Sequence, residues 1–66
     1  MTPTEFLTCR SALNLTQSAL ASTLGVGRRA VQYWEAGERE VPEPVARILR
    51  LAQTDPSILA RLAAAE

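Results

Sequence analysis

The stretch Gly25-Val26-Gly27-Arg28-Arg29-Ala30-Val31-Gln32-Tyr33-Trp34-Glu35 decides how this chain is to be read. A turn bracketed by glycines runs straight into what has the pattern of a helix, and the first two helical positions are Arg28 and Arg29. A helix N-terminus carries partial positive charge and favours anions, so two cations there weaken the isolated element. Wound at about 100° per residue, this helix divides cleanly. Ala30, Val31 and Trp34 share one side, while Arg28, Arg29, Gln32, Tyr33 and Ala36 cover the other. Two arginines, an amide and a phenol on an offered face suit base edges and phosphates and fit a small-molecule pocket poorly. For an arbitrary helix, a solvated face with ordinary surface arginines would be the better reading. The glycine turn ahead of this one shifts the balance.

Working outward, Thr16 is placed to cap a helix that carries Leu20, Ala21 and Leu24 inward and stops at Gly25. Thr2-Pro3-Thr4-Glu5 has the form of a capping box with proline at the first helical position, which predicts a first helix over Pro3–Leu13. The helix beginning at Arg28 reaches about Ala36 and ends at Gly37. Pro42 and Pro44 delay a fourth helix, expected to bury Val45, Ile48, Leu49 and Ala52. Asp55-Pro56 caps and opens a fifth, with Ile58, Leu59 and Leu62 on one face. No segment alternates over enough residues to support a strand, and no internal repeat or low-complexity tract appears. The expectation is an all-α chain whose residues 1–66 form a single domain, a compact bundle of about five short helices.

Composition narrows the function classes. A chain of 66 residues buries only about 60% of its unfolded surface, so its stability is marginal. Apolar residues make up 47% and charged residues 21%, which is globular rather than disordered. Cys9 is the only cysteine, so there is no disulfide framework and a reducing, cytoplasmic setting is expected. Neither a signal peptide nor a membrane span is expected, because no basic segment precedes an apolar core and Arg61 breaks the apolar C-terminal run. With no histidine, no partner for Cys9 at metal spacing and no phosphate-cradling glycine loop, neither enzyme chemistry, metal nor cofactor is expected. Cys9 reads as a small buried apolar residue, and Trp34 as core rather than a stacking platform. The formal net charge of zero argues against a nucleic-acid partner. Its distribution argues for one, since every basic residue is arginine, the side chain best suited to bidentate contacts with phosphate or guanine.

A helix, a tight glycine-containing turn and a second helix make a helix-turn-helix, whose second helix enters the major groove led by its N-terminal residues. The early arginines then stand where bases and phosphates would be, and the anionic duplex offsets their local cost. The run Leu15-Thr16-Gln17, Leu20-Ala21, Leu24-Gly25-Val26, Val31 and Trp34-Glu35-Ala36-Gly37 resembles the DNA-binding domain of the phage repressor and Cro-like family, the XRE type. The resemblance implies a lambda-repressor-like fold that binds double-stranded operator DNA, usually as a homodimer on a palindrome. It implies Arg28, Arg29, Gln32 and Tyr33 toward the major groove, and Thr16, Gln17, Gly27 and Arg39 toward phosphate. Arg10 falls on the apolar side of the first helix, beside Phe6 and Leu7, and so calls for a buried partner. The resemblance implies that this partner is Glu35, in a structural ion pair.

The chain also departs from the family pattern. Gly27 stands where Ser or Thr usually caps the recognition helix, and Glu38 and Glu40 flank Arg39 in a loop that tends to be basic. Low non-specific DNA affinity is expected to follow, with recognition resting on Arg28 and Arg29 reading guanines. The function expected is a sequence-specific transcriptional regulator of phage or mobile-element type, an autorepressor that occludes a promoter. The rival is a protein-interaction module, such as an antitoxin that grips a toxin with or without DNA binding. For Ile58, Leu59 and Leu62 two readings remain open, a dimer interface and closure of the monomer core.

Overall fold

Each helix begins and ends at residues whose chemistry accounts for the boundary. In the computed structural model, which describes residues 1–64, the first helix α1 spans Pro3–Ala12. The Thr2 hydroxyl accepts from the Glu5 amide at 3.1 Å, and the Glu5 carboxylate accepts from the Thr2 amide at 3.3 Å, closing the capping box. The second helix α2 spans Gln17–Leu24, with Thr16 capping through a bond from the Ala19 amide at 3.0 Å. Then come α3 at Arg28–Ala36, α4 at Glu43–Thr54 and α5 at Ser57–Ala64. Among the described residues there is no strand.

The first three helices stop in the same way. Asn14, Gly25 and Gly37 adopt the left-handed conformation with φ of 57°, 73° and 76°. The amide that follows each reaches back five residues, Leu15 to Arg10, Val26 to Ala21 and Glu38 to Tyr33, satisfying a carbonyl the helix leaves open. Asn14 does this without glycine, since asparagine tolerates the conformation better than most side chains. The first helix accordingly ends at Ala12, with Leu13 as its cap, one residue before the end expected from sequence.

Phe6, Leu20, Val31 and Leu49 are fully enclosed, and the Trp34 ring meets Phe6 edge-on at 5.7 Å between centroids. Here α3 packs on both α1 and α2, α4 lies against α1, and α5 closes over α2 and α4. In α4 the structure corrects the expected core. Ala46, Leu49 and Ala52 are buried, while Val45 and Ile48 are only half-covered. A periodic count favours large apolar residues and passes over Ala46, although a small side chain can be wholly enclosed where another element comes close. At the α4–α5 junction Pro56 precedes the helix instead of opening it. The Asp55 carboxylate accepts from the Ser57 amide at 3.2 Å and from its hydroxyl at 2.5 Å.

Candidate nucleic-acid interface

The turn between α2 and α3 consists of Gly25, Val26 and Gly27, and each has a distinct task. Gly25 supplies the left-handed residue that ends α2, and Val26 tucks half-buried against the core. Gly27 precedes α3 in an extended conformation, with φ of −73° and ψ of 149°, that any residue adopts. A Cβ built on Gly27 meets nothing within 4 Å. No side chain caps the first turn of α3, so its leading amides lack that partner. Beyond them Arg28, Arg29 and Gln32 are exposed, whereas Val31 and Trp34 anchor the opposite side of the helix in the core.

Tyr33 is half-buried, and the Arg39 guanidinium lies over its ring at 4.6 Å from the centroid. A cation over a partly exposed phenol is worth about 0.5–1 kcal/mol, enough to bias where Arg39 rests. The phenol expected to face the bases and the expected phosphate contact therefore form one stacked unit, which nothing in the local sequence pattern announces. Around it Glu38, Glu40 and Glu43 are exposed. Glu43 holds Arg47 at 3.3 Å and Arg50 at 3.9 Å in exposed pairs of small energetic weight.

Behind this face lies a polar cluster that joins three elements. The Arg10 Nε donates to Glu35 Oε1, and Arg10 Nη1 donates to the Leu15 carbonyl at 2.8 Å. The Gln17 carboxamide donates to the other carboxylate oxygen of Glu35. The Arg10 and Glu35 side chains retain 18% and 12% of their exposure, so the pair sits at the rim of the core rather than inside it. One amide N–H of Gln17, a residue expected on the DNA backbone, is thus committed inside the protein.

The remaining sequence candidates fall elsewhere. Of the three apolar residues on α5, Leu59 is buried against the rest of the chain, whereas Ile58 and Leu62 are half-covered. Cys9 is half-exposed, not buried as expected, and its thiol is pushed above the ordinary range by burial first and the Glu5 charge second, with Arg50 opposing. Among the described residues no three His, Cys, Asp or Glu side chains gather as a metal site, and no helix is long and apolar enough to cross a membrane.

A family model described as helix-turn-helix matches residues 8–52, more than half of the 66-residue chain and all of α2, the turn and α3. The chain belongs to the XRE-type helix-turn-helix family. It is accordingly a DNA-binding transcription regulator of the XRE type, and the all-helical architecture agrees with that family's fold. The match ends at Ala52, within α4, so what α5 does lies outside the XRE-type segment. Comparison with curated proteins returned no match.

Proposed function

We propose that the protein is a dimeric repressor that occludes a promoter, its own among the first to test, by inserting α3 into the major groove of a palindromic operator. The observation that carries this reading is the start of α3. Two exposed arginines occupy the end of a helix that repels cations, and neither has an acidic partner among the described residues. Arg28 and Arg29 then read guanines by bidentate contact, and Gln32 and Tyr33 reach neighbouring base edges. The Thr16 hydroxyl, the backbone at Gly27, the free N–H of Gln17 and Arg39 lie along the phosphates. The acidic loop keeps binding to random DNA weak.

Reach supports dimerisation. The protein measures 29 Å in its longest extent, whereas half-sites one helical turn apart are centred about 34 Å apart, so each takes its own protomer. The half-covered Ile58 and Leu62 on α5 are the surface proposed for that contact. A second reading, a module that grips a toxin or another protein, draws support from Leu7 and Leu51, which are 44% and 54% exposed on α1 and α4 rather than on α3.

The test is binding of the wild type and an Arg28→Ala/Arg29→Ala variant to a fluorescent duplex from the promoter of the encoding gene, across a salt series with random competitor. Tight, competitor-resistant binding with a shallow salt slope, abolished in the variant while its circular dichroism stays native, is the expected result. Equal weak binding by both proteins would sink the reading for that duplex. Loss of a co-purifying protein on Leu51→Ser would favour the second.

A further inference from the structure

We propose that Gln17 is a positioning residue. It grips Glu35 and so sets the angle at which α3 is held against α2, and with it the place of Arg28 and Arg29 on DNA. The proposal rests on the DNA-reading role argued above for α3.

Gln17 is the first residue of α2, and Glu35 lies in the last turn of α3. The two oxygens of the Glu35 carboxylate face different elements, Oε1 the Arg10 guanidinium on α1 and Oε2 the Gln17 carboxamide on α2. Arg10 in turn holds the Leu15 carbonyl, the residue just ahead of the Thr16 cap. Four residues thereby tie the end of α1, the start of α2 and the end of α3. A glutamine serving only as a phosphate contact would extend into solvent in the free protein, yet this one is half-buried with a donor already engaged.

The lever is long enough to matter. Glu35 is seven residues beyond Arg28 on the same helix, a separation of about 10 Å at the α-helical rise. A tilt of about 5° at the Glu35 end therefore moves the Arg28 end by about 1 Å, enough to spoil a bidentate hydrogen bond whose distances are tolerant to only a few tenths of an ångström. Core packing by Val31 and Trp34 holds α3 in place, and the tether on Glu35 sets its final angle.

The experiment compares the wild type with Gln17→Met, which keeps side-chain length and removes the polar group. Each is titrated, over a salt series, onto the duplex that wild-type protein enriches from a randomised pool and onto random duplex. The same substitution is made in an Arg10→Met/Glu35→Leu chain, where apolar residues replace the ion pair, a change that is often neutral for folding. The expected result is a loss of selectivity for the enriched duplex of about tenfold, comparable to one weakened bidentate contact. Random-duplex affinity falls only by the smaller factor of the one phosphate hydrogen bond that is also removed, the salt slope stays unchanged, and no further loss of selectivity occurs in the chain lacking the pair.

An equal loss on both duplexes, leaving selectivity intact, would make Gln17 a plain phosphate contact and overturn the proposal. So would unchanged selectivity, or an undiminished loss in the chain lacking the pair. If that chain does not fold, the side-chain amide signal of Gln17 in the nitrogen–proton NMR spectrum decides: one slowly exchanging proton supports the tether, and two fast ones overturn it. Failure of the wild type to enrich any duplex would bring down the DNA-reading proposal and this one with it. Failure in the variant arms alone touches only Gln17.

Discussion

The two ends of α3 are built on opposite terms. At its N-terminal end Arg28 and Arg29 stand exposed in an uncapped turn against the helix dipole. Its C-terminal end is held on every side. Trp34 packs on Phe6, Glu35 is bound by Arg10 and Gln17, and Gly37 closes the helix in the left-handed conformation. The difference teaches how a small domain can present a reactive surface without loosening its fold. Unfavourable local electrostatics are placed where a ligand can relieve them, and the anchoring is placed one helix-length away.

The largest way to break this contrast is at the anchored end. Trp34→Ala should cost about 3–5 kcal/mol, comparable to the whole stability of a chain this small, and denaturant unfolding should find it largely unfolded. Arg10→Met leaves the Glu35 charge half-buried with only an amide partner. It should cost about 2–3 kcal/mol, less than for a fully enclosed pair because both side chains keep some solvent. Gly37→Ala forces a side chain into positive φ and places its Cβ 3.2 Å from the Pro3 Cγ, for about 1–2 kcal/mol read as a lower denaturation midpoint. At the open end the sign reverses. Arg28→Ala/Arg29→Ala should leave the thermal midpoint unchanged or raise it, by about 0.3–1 kcal/mol per arginine at low salt, while DNA binding is lost. A clear fall in stability for that variant would mean that the two arginines serve the fold.

Much of this was legible in sequence because it is local. Capping residues at Thr2 and Thr16, glycine stops at Gly25 and Gly37, and the apolar side of α3 each express chemistry among residues within a turn or two of one another. Asn14 escaped, although the residue type and the apolar Leu15 after it are a usable signal for a left-handed stop. Leu59 could not be assigned from its own helix, because whether an apolar stripe closes a core or meets a partner depends on what lies opposite. Arg39 over Tyr33 was invisible for the same reason.

By itself, then, the sequence determined the five helices, the glycine turn and the arginines that lead α3, since these follow from backbone propensity, capping and helical periodicity. The resemblance and the apolar setting of Arg10 implied its pair with Glu35, but only the tertiary structure decided that Gln17 shares that carboxylate. Gln17 is 18 residues from it and Arg10 is 25, and no periodic rule spans such distances. Three helices must first pack before those side chains share a carboxylate, and that packing gives the open end of α3 a fixed place to point from.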